Sequence, residues 1–147
     1  VAVVTADILV EGVRRDAVFA WLSEPANHGK ILDGAFEGCV EQGAGDFTLT
    51  VRTGPRSREL RYRFDRSDDS HGGRRVYVNT DGKRFRGTLS YSLRTMKPST
   101  NTLVTMHLDF DPGSMLGQVV LASGLKMSLH EAFTRALDNL SRALPRG

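Results

Sequence analysis

Between Ala35 and Asp111 apolar and polar residues alternate with a period of two, interrupted at intervals by turn-forming residues. This period predicts six strands: AFEGCVEQ, DFTLTVRT, RELRYRFDR, RRVYVNTD, FRGTLSYSLR and TLVTMHLDFD. The interruptions are Gly43-Ala44-Gly45, Gly54-Pro55, Ser70 to Gly73, Asp81-Gly82 and Pro98 to Asn101. Connections this short make successive strands antiparallel neighbours. A seventh strand is expected over residues 2 to 10, with Val4, Ala6, Ile8 and Val10 on one side and Thr5 and Asp7 on the other. Between it and the rest, RRDAVFAWLSEPANHGKIL has helical spacing, with Val18, Trp21 and Leu22 on one face. The step Ser23-Glu24-Pro25 is expected to end one short helix and start a second, because proline suits a first helical position.

After Asp111-Pro112-Gly113 the period becomes helical, with Ser114 placed as a cap. The apolar stripe Ala122, Leu125, Leu129, Phe133, Ala136, Leu140, Leu144 is one-sided, so a long helix is predicted to lie against an apolar surface. Gly117 and Gly124 weaken its first half, each by about 1 kcal/mol relative to alanine. Pro145 and Gly147 are expected to end it.

The chain has 147 residues, 39% hydrophobic and 25% charged, which fits a single domain over 1–147 and excludes a disordered chain. A domain of this length buries roughly two-thirds of its unfolded surface and needs neither disulfides nor a structural metal. The lone Cys39 has no partner for an internal bridge, and a reducing, cytoplasmic setting is the expectation. The opening VAVVTADILV contains Asp7 and lacks a basic start and a cleavage site, so it reads as a strand and not as a signal peptide. No stretch has the length of a transmembrane segment.

Charge alters the picture in the middle of the chain. Positions 52 to 97 hold thirteen basic and five acidic residues, within a net charge of +3 for the whole. Alternation puts Leu60, Tyr62 and Phe64 on one face and Arg61 and Arg63 on the other; Phe85, Leu89, Tyr91 and Leu93 likewise oppose Arg84 and Arg86. The arginines, Arg52 included, are thus expected on the outer face of a sheet. Such a face either stays solvated and blocks aggregation or docks on an acidic protein or anionic surface. Nucleic acid is not the expected partner, because the aromatics needed for base stacking alternate to the other side.

Chemistry-bearing residues are sparse. His28, His71, His107 and His130 lie far apart, and Cys39 has no companion at metal-ligand spacing, so no metal or other cofactor is expected. His107 falls on the outer face with Thr105 and Asp109, and His130 beside the buried helical stripe, where it would cap the edge of the apolar face. Gly43-Ala44-Gly45 lacks the third glycine and the strand and helix of a phosphate loop, so it is a turn. There is no nucleophile-elbow motif.

The order is strand, two short helices, six antiparallel strands and one long C-terminal helix, an α+β arrangement in which a curved seven-stranded sheet wraps a helix. Within it, Ile8-Leu9-Val10, a turn, and Asp16-Ala17-Val18-Phe19-Ala20-Trp21-Leu22-Ser23-Glu24-Pro25 are similar to the opening of the helix-grip superfamily. This SRPBCC group includes START lipid-transfer domains, the Bet v 1-like birch-pollen allergen and bacterial polyketide cyclase/dehydrase-like proteins. The chain departs from the pattern at Gly12-Val13, where the family often has proline, and at Lys30-Ile31-Leu32, where a tryptophan is common.

The resemblance implies a cavity between sheet and helix. An inward set that mixes Tyr62, Phe64, Tyr91 and Phe133 with Gly38, Gly87, Ala122 and Ala136 is expected to leave space there. The candidate ligand-binding residues are Tyr62, Phe64, Val78, Leu89, Tyr91, Met106, Leu108, Leu125, Leu129 and Phe133. The two tyrosine hydroxyls need partners if buried, either a ligand group or water, or a backbone carbonyl at the rim. The first functional expectation is a carrier or sensor for a small hydrophobic molecule such as a lipid, an isoprenoid or a polyketide-like compound, admitted near the glycines that begin the long helix. A second is a cyclase or dehydratase in the same cavity, with Tyr62, Tyr91 and Asp111 at its mouth assisting proton transfer. A third is an interaction module that uses the basic outer face.

Overall fold

The computed structural model describes residues 2–70, 73–82, 85–111 and 118–146, and side chains within them except at 82, 85 and 118–123. The described residues form seven strands: β1 (Ala2–Val10), β2 (Gly38–Gly43), β3 (Asp46–Thr53), β4 (Arg56–Asp68), β5 (Arg74–Gly82), β6 (Phe85–Met96) and β7 (Asn101–Asp111). The helices are α1 (Arg15–Leu22), α2 (His28–Leu32) and α3 (Gln118–Ala143), with a single 3-10 turn at Pro25–Asn27 before α2. The strands form one antiparallel sheet in the order β1-β7-β6-β5-β4-β3-β2.

One long helix packs against both β1 and β3, which stand first and sixth in that order. In a flat sheet those strands would be about 24 Å apart. A helix is only about 10–12 Å across with its side chains. The sheet therefore curls around α3. A β-bulge between Phe64 and Arg66, where β4 leaves regular register with β5, contributes bend and twist at mid-sheet. Gly45 tightens the β2–β3 turn at φ +73°, and a Cβ there would stand 2.8 Å from both Phe64 and Pro25. Only glycine fits that close approach.

The apolar faces all turn inward. Val4, Ala6 and Val10 of β1, Phe47, Leu49 and Val51 of β3, and Val104, Met106, Leu108 and Phe110 of β7 are buried against Leu125, Leu129, Phe133, Ala136, Leu137 and Leu140 of α3 in one continuous core. The period-two and helical stripes account for this packing directly. Polar ties then fix the helices. Asn139 Nδ2 donates to the carbonyls of Ile31 and Asp33 at 3.0 and 2.9 Å, and Arg135 Nε donates to that of Ala35 at 3.0 Å. Ser67 of β4 donates to Ser23 at the end of α1 at 2.7 Å, and Arg74 of β5 pairs with Asp16.

Some expectations need correction. The strand expected from Ala35 begins only at Gly38; Ala35 and Phe36 are instead buried in the connection from α2. Gly38 lies opposite Thr50, whose neighbours Leu49 and Val51 point inward, so it belongs to the outer face and not to the inward set. Ser114 and Gly117 fall outside the described residues, as does the side chain of Ala122. His130 donates from Nδ1 to the carbonyl of Thr5 at 2.9 Å, which ties α3 to the free edge of β1.

Truncating Leu140, wholly buried beneath the sheet, to alanine is expected to cost about 2–5 kcal/mol in urea denaturation. Met127→Ala, at a side chain 69% exposed on the same helix, is expected to change stability by no more than about 0.5 kcal/mol.

Candidate functional site

The space between the sheet and α3 is lined by Phe36, Leu49, Leu60, Arg61, Tyr62, Thr80, Leu89, Leu108, Leu129 and Phe133. It is a nearly closed void that leaves about 10 Å³ for the centre of a water-sized sphere, roughly room for one water. Five of the expected ligand-binding residues meet there: Tyr62, Leu89, Leu108, Leu129 and Phe133. Val78, Tyr91, Met106 and Leu125 are buried in the same core without lining the void. Phe64, beside the bulge, is half-buried, with its ring edge-on to His28 at 5.4 Å.

The polar centre of this core was not legible in advance. His28, the first residue of α2, is fully buried. Its Nε2 lies 2.7 Å from the carbonyl of Leu22, and its Nδ1 lies 2.6 Å from the hydroxyl of Tyr62. The Tyr62 hydroxyl in turn lies 2.6 Å from that of Tyr91, two strands away. A carbonyl can only accept, so Nε2 carries the proton and donates to Leu22. A neutral imidazole has one N–H, so Nδ1 accepts from Tyr62, whose oxygen then accepts from Tyr91. The chain of donation runs one way, from β6 through β4 and α2 to the end of α1.

Burial sets the protonation states along this chain. Desolvation pushes the His28 pKa down, partly opposed by its bond to Leu22, and so favours the neutral imidazole that the geometry needs. Burial pushes both tyrosines up, Tyr62 well above the ordinary phenol value, so both stay protonated. The tyrosine hydroxyls thus find their partners within the core, in each other and in His28, and not in a carbonyl at the rim. No sequence spacing announces this, because His28 meets Tyr62 and Tyr91 only through tertiary packing.

Two further lining residues did have a signal. Alternation through Val76 and Val78 carries Thr80 inward, and it faces Tyr62 on one side and Gly87 on the other. Its hydroxyl is buried without a hydrogen-bond partner. Phe36 was expected in a strand; in the connection it instead stands between the void and a surface groove. Asp111, expected at the cavity mouth, is exposed on the outer face opposite Arg86.

Part of the charge on the outer face is paired within the chain. Arg52 pairs with Glu37, Arg61 with Asp46, Arg63 with Asp81 and Arg66 with Asp65. One aromatic departs from the inward rule: Tyr77 lies under the Arg66 guanidinium at 4.3 Å. His107 sits 3.3 Å from Asp109 on this face. Among the described residues no group of three or more His, Cys, Asp or Glu is placed to hold a metal, and no helix is long and apolar enough to cross a membrane.

A curved seven-stranded antiparallel sheet closed on a long C-terminal helix, with two short helices between its first two strands, is the helix-grip fold. No protein-family model and no curated protein sequence matches the chain. Solved structures do. The KanY protein is 18% identical, with 97% of each chain covered and a TM-score of 0.62. The Zhui aromatase/cyclase from Streptomyces sp. R1128 is 13% identical, with 96% of this chain and 92% of its own covered and a TM-score of 0.62. XoxI from Bacillus cereus is 13% identical over 98% of this chain and 96% of its own, again at 0.62. At such identities the likeness is one of fold.

Tyr62→Phe is expected to destabilise more than Tyr91→Phe. The first leaves His28 Nδ1 and the Tyr91 hydroxyl unpaired, at about 1–3 kcal/mol per orphaned group, whereas the second keeps the Tyr62–His28 bond. Because the folded His28 pKa lies below its unfolded value of 6.5, the unfolded chain takes up the proton first. The stability tied to neutral His28 is present above that pH and lost as pH falls toward the folded pKa. In thermal melts across this range His28→Gln, which can both donate and accept, is expected to show a shallower decline than the parent.

Proposed function

We propose that this chain is a bacterial-type SRPBCC protein that binds a small hydrophobic molecule, such as a lipid, an isoprenoid or a polyketide-like compound, between the sheet and α3, as a cytoplasmic carrier or sensor. The observation that carries this reading is the void itself. It is walled by aliphatic and aromatic side chains, with two tyrosine hydroxyls already paired off elsewhere in the core and a single polar group, Thr80, left over. A wall of this kind supplies affinity through apolar burial, at about 25 cal/mol per Å² removed from water. A few polar groups then set orientation. The void as it stands has room for about one water, so this reading requires side chains or α3 to shift when an occupant enters.

A second reading, an enzyme of the cyclase or dehydratase kind, draws on one observation. Tyr62 both lines the void and donates to a buried imidazole. Tyr62 has one proton and it goes to His28, so this phenol would polarise a substrate carbonyl only if the carbonyl took the place of the imidazole as acceptor. The aromatase/cyclase among the fold neighbours agrees with it. The reading of the outer face as an anionic docking surface draws less support, since four of its arginines are engaged by carboxylates of the same chain.

Native mass spectrometry of freshly purified protein, set against the denatured mass and an organic extract, tests the binding reading. The expected result is extra mass that leaves on denaturation and reappears in the extract. If the protein carries no extra mass and a fluorescent-lipid titration shows no saturable uptake, the reading falls.

A further inference from the structure

Thr80 is only 6% exposed, lines the void, and carries a buried side-chain oxygen without a partner. Native cores seldom leave such a group unpaired without a reason. The sheet makes room for it at a second position. Gly87 faces Thr80 in mid-strand, and a Cβ there would stand 2.5 Å from the Thr80 oxygen and 2.9 Å from the carbonyl of Asp109. A glycine within a strand weakens it, and its usual context is a close approach by backbone or ligand.

Water is a poor occupant. A buried water settles where two to four polar groups meet it. The remaining walls are Phe36, Leu49, Leu60, Leu89, Leu108, Leu129, Phe133 and Arg61, whose guanidinium is held by Asp46 on the outer face, and the Tyr62 hydroxyl is already engaged on both sides.

Phe36 also borders a groove of about 460 Å³ on the protein surface, between β3, α3 and the connection that precedes β2. Its ring is 9% exposed and stands between that groove and the void. It sits in a connection and not in a strand ladder, two residues after Gly34 at φ +75°. On either side, surface ties hold the segment: the Ala35 carbonyl accepts from Arg135, and Glu37 pairs with Arg52. The ring can swing without breaking a sheet hydrogen bond.

We propose that the void behind Phe36 receives a small apolar molecule bearing one hydroxyl or carbonyl oxygen, that Phe36 is its door from the groove, and that the Thr80 hydroxyl is its polar anchor. This rests on the binding reading above and narrows the ligand to a molecule with a single polar atom at its leading end. It also moves the way in from the start of α3 to the opening between β3 and α3.

Phenol and toluene, nearly the same shape and differing in one hydroxyl, make the test. Each is titrated into the full chain and followed by amide chemical shifts. The expected result is shifts at Phe36, Leu89 and Leu129, and phenol binding in Thr80→Val weakened about 3- to 10-fold relative to toluene. Thr80→Ser keeps the preference, and Phe36→Ala speeds association of both probes. Equal loss of phenol and toluene in Thr80→Val overturns the anchor while leaving hydrophobic binding intact. An unchanged association rate in Phe36→Ala overturns the door. If neither probe shifts these amides in the parent or in Phe36→Ala, the anchor and the binding reading fall together.

Discussion

Every inward side chain in this protein answers to one requirement: a sheet with a single apolar face must be shielded, and only one helix is long enough to shield it. α3 touches strands at opposite sides of the sheet, which forces the curl, and the curl in turn decides that the middle strands stand furthest from the helix axis. Large residues on β4 to β7 fill that distance only in part. The void beneath Leu89 and Leu108 follows from the geometry of wrapping a broad sheet on one cylinder, before any ligand is considered.

The same geometry explains the polar chain. Deep in a curled sheet, side chains from strands two apart converge, so hydroxyls on β4 and β6 come within hydrogen-bonding distance. Left to themselves, two phenols can form only one such bond between them. His28 supplies the missing acceptor, and the Leu22 carbonyl, freed at the end of α1, closes the series. The short helices are thereby more than a lid on the sheet's open corner. They deliver an imidazole to a place that the strands cannot reach.

Where periodicity governs, the chain was legible. The seven strands, the break at Pro25, the inward set from Val4 to Leu140 and the outward arginines all follow from spacing that any window of ten residues displays. Position in three dimensions was not. His28 lies in a five-residue helix, too short to show a buried stripe; its phenol partner Tyr62 is 34 positions away, and Tyr91, against which its ring packs edge-on, is further still. Ala35 and Phe36 alternate like a strand yet pack in a connection: the ladder with β3 starts at Gly38 opposite Thr50, although β3 itself runs on to Thr53, and the Ala35 carbonyl bonds Arg135 of α3 instead. Thr80 was readable as inward, but that its hydroxyl stays unpaired depends on its neighbours and on no local rule.

The pairing of β1 with β7 carries a consequence for how the protein is made. Ala2 lies beside Phe110, and Val10 beside Thr102, so β1 meets its ladder partner β7 only after about a hundred further residues have been made. At about 5–20 residues per second that is a wait of roughly 5–20 s. In that interval Val4, Ala6 and Val10 have neither strand nor helix to cover them, and the meander from β2 to β6 can assemble without them. Contacts between such distant segments also slow folding as a whole. β1 and β7 therefore act as a late clasp, and the cavity has no complete wall until α3 has arrived.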